Sequence, residues 1–374
     1  MMEVQRFIAK KGWQALTDEL GINVKRYDNG ICVLNYDMIE SPKNHPVSNE
    51  CRGLTLWDKE GVPIVMSRSF SRFFNYGEAD TKEFDFSNCT VWEKADGSLT
   101  KVWYNFVDNR YEISTRGMAF AEADHCFSTV GQEHGGTFRA WILKAMNFTE
   151  EQFQDAMKSM PEEVTYVLEY TGPSNRIVTP YKEDQMVLLA VVGDDGIEEP
   201  LTLHHTLLQT VGMNVRLPQT YNASSAEEVL ALCESLTELK EGFVVFDHNT
   251  GKRVKVKNAA YVAAHHLRGN GIPTQSALME LVLTGESEEF LAYFPEYQKY
   301  VDPIVDTLNR VIAVAGQTYN EYRHLESQKD FALAVKDMMV APIMFKARKD
   351  GVEAAHAFNT MDVSQKVKLL EKFI

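Results

Sequence analysis

Short apolar runs separated by turn-forming residues dominate the chain before Asn258. Runs of this length that are rich in valine, isoleucine and aromatic residues favour β-strands. We predict strands over residues 30–35, 53–57, 91–93, 99–104, 111–115, 164–169, 186–192, 242–246 and 253–256. Helical spacing of apolar residues predicts helices over 150–160 and 226–236, and the pattern of 1–20 is that of one amphipathic helix.

The pattern changes to helical spacing after Asn258, as in the series Leu278, Leu281 and Val282. Four residues that end or interrupt helices punctuate this region: Gly285, Pro295, Pro303 and Pro342. We therefore predict the α+β class: a domain of mixed and antiparallel sheets with helices over 1–258, followed by an all-α domain over 259–374. No internal repeat is visible in the sequence.

The composition is that of an ordinary soluble globular protein, with 374 residues, 44% hydrophobic and 24% charged. No apolar run approaches the ~18 residues of a membrane-spanning helix, and the charged start of the chain does not resemble a signal peptide. The five cysteines are scattered without a CxxC pair, which argues against disulfides and a thiolate zinc site. We expect a cytoplasmic, monomeric protein that does not bind membranes.

Net charge alone argues against a nucleic acid partner, because the chain carries a formal charge of -15. Phosphate binding requires clustered lysine and arginine. Such a cluster is present locally, since residues 241–270 contain five basic and two acidic residues. This short stretch requires a separate explanation.

The segment Lys94-Ala95-Asp96-Gly97-Ser98 lies between two predicted strands. An Asp-Gly pair in that position is a good turn signal, so Lys94 is expected at the lip of a sheet. Alone, the pattern is more often that of an exposed lysine without a function beside a hairpin turn.

Lysine and valine alternate in the predicted strand after Glu241, where Lys255 and Lys257 share one face and the valines the other. Two ammonium groups on one face repel each other unless water or anions surround them. The strand is therefore either a solvated edge, where lysines discourage aggregation, or a strand that faces phosphates.

Two further clusters carry charge among apolar residues. Arg52 and Arg72 occur with dense aromatics, as in Ser71-Arg72-Phe73-Phe74-Asn75, and either bind an anion or extend their charges above a core. Glu169 interrupts an otherwise apolar strand. A carboxylate in such a place needs a partner, which favours a ligand or an ion pair over packing.

In this order, the segments resemble the phage RNA ligase 1 family of ATP-dependent RNA ligases, within the covalent nucleotidyltransferases. The resemblance extends from about Asn35 to Tyr261 and includes the run Pro173-Ser174-Asn175-Arg176-Ile177-Val178. It implies an adenylation domain with a helical tail. It also implies an enzyme that joins 5′-phosphate and 3′-hydroxyl ends of RNA through lysyl-AMP and adenylated RNA, in a role such as tRNA repair.

The resemblance also implies roles for single residues. Lys94 corresponds to the adenylated nucleophile, and Lys255 and Lys257 to cations that act on the phosphates of ATP. An amine must be unprotonated to attack, and nearby cations and a divalent metal disfavour its ammonium form. Glu169 corresponds to an acidic residue at the ribose or metal, and Glu241 to one that holds metal-bound waters. Mg²⁺, or Mn²⁺, suits such carboxylates.

Arg52, Arg72 and Arg116 correspond to cations that contact the nucleotide, although the family more often has lysine where Arg72 and Arg116 stand. Tyr36 corresponds to a residue on the adenine side, with ordinary packing as the alternative. Glu288 is either a second metal ligand near the outgoing phosphates or part of a solvated helix start.

Two other functions remain open at this point. A GTP-dependent capping guanylyltransferase or a DNA ligase would use the same lysine chemistry, although either usually carries a barrel of the OB type in place of a helical tail. An inactive relative that only binds RNA would keep the fold and lose the nucleophile or its charges. If the protein is encoded by a phage, its location is the cytoplasm of the infected host.

Overall fold

The structure is a computed structural model that describes residues 1–78, 81, 83–122, 136–236, 240–262 and 274–373. Cys126 and positions 263–270 of the basic stretch lie outside the described residues. The chain forms two compact units, Met1–Val262 and Ala263–Ile374. The predicted domain boundary after Asn258 stays a prediction.

The first unit is built on fourteen described strands arranged in three sheets. The strands are β1 (Ile22–Arg26), β2 (Ile31–Tyr36), β3 (Arg52–Lys59), β4 (Val62–Ser67), β5 (Phe74–Asn75), β6 (Cys89–Glu93), β7 (Ser98–Asn105), β8 (Arg110–Thr115), β9 (Val164–Thr171), β10 (Gln185–Gly193), β11 (Val215–Arg216), β12 (Thr220–Tyr221), β13 (Gly242–Asp247) and β14 (Arg253–Lys257). Sheet 1 has the order β1-β2-β3-β4, sheet 2 the order β11-β10-β9-β7-β8 and sheet 3 the order β12-β6-β13-β14-β5.

Among the described strands, parallel pairing is confined to β10–β11 and β14–β5, so the sheets are mixed or antiparallel as predicted. The helices of the first unit are α1 (Glu3–Lys11), α2 (Gln14–Leu20), α3 (Pro46–Glu50), α4 (Phe138–Ala145), α5 (Glu150–Met157), α6 (Leu201–Thr210) and α7 (Ala226–Glu234).

The second unit is helical over its described part, with its own apolar core around Met279, Val311 and Met344. Its helices are α8 (Gln275–Thr284), α9 (Ser287–Tyr293), α10 (Gln298–Tyr322), α11 (Gln328–Val335), α12 (Ala341–Asp350), α13 (Ala354–Asn359) and α14 (Val363–Leu370). The α+β class with a helical carboxyl-terminal region is thereby confirmed. Within the described residues, no helix is long and apolar enough to cross a bilayer.

Each predicted strand and both internal helices are present, but two details of the helix predictions were wrong. The segment 1–20 forms two helices because Gly12 adopts φ +84° after α1, a conformation that glycine tolerates. Pro303 lies inside α10 and does not separate helices. It is near the start of α10, where the carbonyl that loses its partner belongs to the exposed Lys299.

Sheet 2 buries one face against helices and turns the other toward the remaining sheets. Along β9, Tyr166, Leu168 and Tyr170 belong to the core that contains α4 and α5. Because strand side chains alternate between faces, Glu169 points away from those helices. The same alternation puts Lys101 of β7 on the face opposite Val102.

Sheet 3 is divided in the same way. Val245, Val254 and Val256 pack with Val229 of α7 in one core. Lys255 and Lys257 therefore lie on the opposite face, so the predicted alternation of β14 is confirmed. The charged face of sheet 3 and the Glu169 face of sheet 2 supply walls of one cavity.

We predict that fragments 1–262 and 274–374 fold independently, because each unit buries a core of its own. When unfolding in urea is monitored by circular dichroism, each fragment should show one cooperative transition. A gradual loss of signal from either fragment would show that the boundary is misplaced or that the units fold only together.

Candidate active site

A cavity of about 630 Å³ opens among the three sheets of the first unit. Its size is that of a site for a small molecule or nucleotide. Among the described residues its wall contains six basic side chains and two acidic ones: Arg52, Lys94, Arg116, Arg253, Lys255 and Lys257 against Glu93 and Glu169. The cavity is therefore locally positive in a chain that is strongly acidic overall.

Lys94 follows β6 directly, and its backbone N–H donates to the carbonyl of Gly242 at 2.8 Å. Its Nζ lies 2.5 Å from Oε2 of Glu241, whose other oxygen is 3.4 Å from Nζ of Lys257. Glu241 is only 5% exposed. A buried carboxylate thus lies between two lysines.

The turn after Lys94 is fixed by Asp96, which is 3% exposed. Its Oδ2 accepts hydrogen bonds from the backbone N–H groups of Val178 and Thr179 at 2.9 and 2.7 Å, and its Oδ1 accepts from the hydroxyl of Tyr261 at 2.7 Å. Three hydrogen bonds to one buried carboxylate hold the turn strongly. Asp96 therefore fixes the position of Lys94 by holding the turn that follows it.

Gly97 is required because the turn packs against the end of β9. A Cβ at this position would lie 2.1 Å from the carbonyl oxygen of Tyr170, closer than any side chain allows. The same carbonyl accepts from the buried amide of Asn175 at 2.7 Å, and that amide also bonds Ser98. The segments 94–98 and 170–179, which the sequence analysis treats separately, thus form one unit of structure.

Lys255 and Lys257 both line the cavity, and β14 lies between β13 and β5. The solvated-edge interpretation was therefore wrong, since β14 pairs on both sides. Nζ of Lys255 lies 5.3 Å from the ring centroid of Phe73. The two lysines are held close to the turn of Lys94 by the pairing of Gly242 with Lys257.

Arg52 and Arg116 line the cavity as well. The guanidinium carbon of Arg52 lies 4.7 Å from the ring centroid of Phe70, a cation–π contact. Burial, and to a lesser extent the charge of Arg116, lower the pKa of Arg52. Nη1 of Arg52 is buried with no hydrogen-bond partner among the described residues, so it can donate to an anion in the cavity.

Tyr36 and Arg72 are placed differently from one another. Tyr36 lines the cavity, and the guanidinium carbons of Arg72 and Arg116 lie 4.0 and 4.5 Å from its ring centroid. Arg72 lines a neighbouring cavity of about 810 Å³. The predicted contact of Tyr36 with adenine stays a prediction, as does the contact of Arg72 with phosphate.

Glu169 is paired with Leu99 on one side and Val187 on the other, in the middle of sheet 2. Burial raises the pKa of its carboxyl group to about 7, and the charge of Glu241 acts in the same direction, while Lys94 opposes it. A carboxylate with such a penalty is stabilised by any cation placed beside it. A cation bound beside Glu169 would therefore relieve the cost of burying its negative charge.

A divalent metal fits these residues. Mg²⁺ is commonly held by one or two carboxylates together with waters and substrate phosphates, and Glu169 and Glu241 are near enough to influence each other's charge. The described residues contain no cluster of three or more potential ligands, so a site made of protein ligands alone is not supported. Glu288 lies exposed near the start of α9 in the second unit, where its predicted metal role stays a prediction.

Several cavity residues were not singled out from the sequence. Trp92, Phe138 and Leu189 supply apolar surface, and Arg253 lies at the border of both cavities, where it binds Glu198. The sequence signal for Trp92 is its place two residues before Lys94, which sets it on the same face of sheet 3. Phe138 and Leu189 come from distant segments, and no local pattern marks them.

Comparison with known proteins decides the family. The family model described as RNA ligase matches residues 50–261, more than half of the chain. The chain belongs to the RNA ligase family. The matched region contains Lys94, Glu169, Glu241 and both lysines of β14, so the family's sequence pattern covers most of the cavity wall.

Relatives of this RNA ligase family member include two viral proteins. One, from Autographa californica nuclear polyhedrosis virus, is named as a bifunctional polynucleotide kinase/RNA ligase and is 31% identical, with 100% of this chain and 54% of that protein covered. The chain therefore spans about half the length of this relative. An RNA ligase of Rhodothermus phage RM378 is 24% identical over 86% of this chain and 84% of its own length.

Among solved structures, an archaeal ATP-dependent RNA ligase is similar to this chain with a TM-score of 0.49 and 13% sequence identity. The match covers 84% of this chain and 83% of the archaeal one.

Replacing the buried carboxyl group should stabilise the protein when no nucleotide or metal is bound. Glu169→Gln removes a group whose pKa rises from its ordinary value of 4.5 to about 7 on folding. Its charged form is penalised in the folded state, so the gain should approach about 3 kcal/mol above pH 7 and vanish well below pH 4.5, where the carboxyl is neutral in both states.

Urea unfolding across this pH range, in the presence of a chelator, measures the effect. Glu183→Gln, an exposed residue of the same unit, is the control and should change the free energy of unfolding little at any pH. Equal behaviour of the two variants above pH 7 would show that Glu169 carries no burial penalty.

Proposed function

We propose that this chain is an ATP-dependent RNA ligase that joins a 5′-phosphate to a 3′-hydroxyl end, with Lys94 as the residue that carries AMP. The observation that carries the proposal is the position of Lys94. It lies in the wall of a nucleotide-sized cavity, beside a buried carboxylate and within a set of cations drawn from three sheets. Membership of the RNA ligase family supports the reaction class.

The first step forms a bond between Nζ of Lys94 and the α-phosphorus of ATP, and the bond from that phosphorus to the pyrophosphate oxygen breaks. The ammonium of Lys94 must lose a proton, and Oε2 of Glu241, 2.5 Å from its nitrogen, is within reach to accept it. Glu241 and Lys94 also line a second, small cavity of about 40 Å³. Water held there can receive the proton.

Lys255 and Lys257 stabilise the negative charge that builds up on the phosphate oxygens as pyrophosphate leaves. Preorganised charges of this kind supply much of the rate enhancement in phosphoryl transfer. Arg52 and Arg116 hold the triphosphate, for which the planar guanidinium group is well suited. The apolar side chains of Trp92, Phe138 and Leu189 provide surface for the base.

A divalent metal, when bound, supplies positive charge next to the phosphate oxygens. Glu169 and Glu241 are the carboxylates that would hold it. Glu169 is the better supported of the two, because its burial penalty is relieved by a cation. We infer Mg²⁺ or Mn²⁺, since both accept oxygen ligands.

Two further transfers complete the reaction. An oxygen of the RNA 5′-phosphate attacks the phosphorus of lysyl-AMP and the P–N bond breaks, which returns the electron pair to Lys94. The 3′-hydroxyl of a second end then attacks the 5′-phosphorus, loses its proton and displaces AMP. RNA is the proposed partner, and repair of broken tRNA is the proposed biological setting.

Lys94→Ala should abolish covalent labelling of the protein by ATP that carries a label in its α-phosphate, because no other amine takes its place at the turn. Denaturing electrophoresis after incubation with Mg²⁺ measures the label. Lys10→Ala, an exposed lysine of α1, is the control and should label like the wild type. Label that persists on Lys94→Ala would assign the nucleophile elsewhere, and labelling by GTP alone would favour a capping guanylyltransferase.

Lys255→Ala and Lys257→Ala should each slow adenylation by at least ~100-fold, as expected for the loss of one electrostatic stabiliser. The matched control is Lys252→Ala, an exposed lysine in the turn that joins β13 to β14. Single-turnover rates with saturating ATP are the measurement. Rates within a few-fold of the wild type would mean that these lysines serve only the structure.

A further inference from the structure

Strand β3, which brings Arg52 to the cavity wall, is irregular at Gly53. In the pairing of β2 with β3, Leu34 faces Leu54 but Asn35 faces Arg52, so Gly53 is an extra residue on β3. Gly53 has φ +66°. This is the geometry of a β-bulge with glycine in the left-handed region, a feature that redirects the neighbouring side chain. The neighbouring side chain here is Arg52.

A bulge leaves the N–H and the carbonyl of its extra residue outside the ladder, and two side chains satisfy them here. The N–H of Gly53 donates to Oδ1 of Asn35 at 2.9 Å. The carbonyl of Gly53 accepts from Nζ of Lys101 at 2.5 Å. Unpaired buried backbone groups are costly, so Asn35 and Lys101 stabilise the bulge itself.

Lys101 is fully buried and has no carboxylate among its hydrogen-bond partners in the described residues. Its three donors serve the carbonyl of Gly53 and the hydroxyls of Thr55 and Ser67, the last two at 3.2 and 2.7 Å. Burial and the charge of Arg52 lower the pKa of its amine to about 7. Lys101 thus ties β7 of sheet 2 to the strands of sheet 1 around the bulge.

Asn35 also connects the bulge to Arg116. Its Nδ2 donates to the carbonyl of Arg116 at 2.7 Å. The backbone of Arg116 lies against Gly53 so closely that a Cβ there would be 2.9 Å from the same carbonyl. Two arginines from distant parts of the sequence, Arg52 and Arg116, are therefore set by one small group of contacts.

These two arginines repel each other, and their charges must nevertheless lie in one cavity. A polyphosphate binds them more tightly when the guanidinium groups are held in place beforehand, because less ordering is then required on binding. We propose that Asn35 and Lys101 are positioning residues that hold the bulge at Gly53 and so set Arg52 and Arg116 for the triphosphate of ATP. The proposal rests on the proposed function and adds the device that organises the phosphate end of the site.

The test is the affinity for ATP compared with that for AMP, measured by calorimetry in protein that carries Lys94→Ala, so that no adenylate forms. Asn35→Ala should weaken ATP binding at least ~10-fold and AMP binding by less than ~3-fold, because AMP lacks the outer phosphates. Lys101→Met, which keeps the length of the side chain, should give the same split. Lys101→Met serves as the second variant if Asn35→Ala does not fold.

The matched control is Asn105→Ala. Asn105 is fully buried, whereas Asn35 is half-buried, and it likewise bonds backbone groups, holding a turn through the N–H groups of Val107 and Asp108 away from the cavity. It should lower the free energy of unfolding in urea and leave the ratio of ATP to AMP affinity unchanged. A purely structural role of Asn35 would make it behave like Asn105.

A second measurement shows whether Asn35 acts through the arginines. In protein that also carries Arg52→Ala and Arg116→Ala, Asn35→Ala should have no further effect on ATP affinity. An equal loss in both backgrounds, or equal losses of ATP and AMP affinity, would overturn the proposal. Absence of covalent labelling of the wild type with ATP binding intact would instead refute the proposed ligase, so the two failures are distinguishable.

Discussion

The site depends on one carboxylate between two lysines. Glu241 lies 2.5 Å from Nζ of Lys94 and 3.4 Å from Nζ of Lys257, with almost no exposure to water. A buried charge is tolerated only with partners. Glu241 has two, Lys94 and Lys257, and the backbone must pack closely to bring both within reach. The backbone meets that demand at Gly242, where a Cβ would lie 2.2 Å from the carbonyl oxygen of Val256.

The surrounding structure can be understood as support for that arrangement. Asp96 and Gly97 hold the turn of Lys94 against β9, and the register of β13 with β14 brings Lys257 opposite Gly242. Arg52 approaches from sheet 1 through the bulge at Gly53, and Arg116 approaches from the end of β8 in sheet 2. A strongly acidic chain can thus hold a polyanion, because the position of a few charges matters more at short range than the net charge.

The local pattern of the sequence predicted the strands, the alternation of lysine and valine in β14 and the placement of Lys94 at a turn, since each depends on neighbours in sequence. Contacts between distant segments could not be predicted. The hydrogen bonds that Asp96 accepts from Val178 and Thr179, the bulge held by Asn35 and the burial of Lys101 all follow from how the sheets meet. Lys101, in particular, has the sequence context of an ordinary strand residue and is fully buried.

The most direct measurement is a crystal structure of the wild-type protein with Mg²⁺ and an ATP analogue that cannot transfer its adenylate. The account predicts that Nζ of Lys94 leaves Glu241 and lies about 3–3.5 Å from the α-phosphorus, in line with the departing pyrophosphate. A complex in which the analogue fills the cavity while Lys94 remains paired with Glu241, with its nitrogen out of reach of any phosphate, would contradict it.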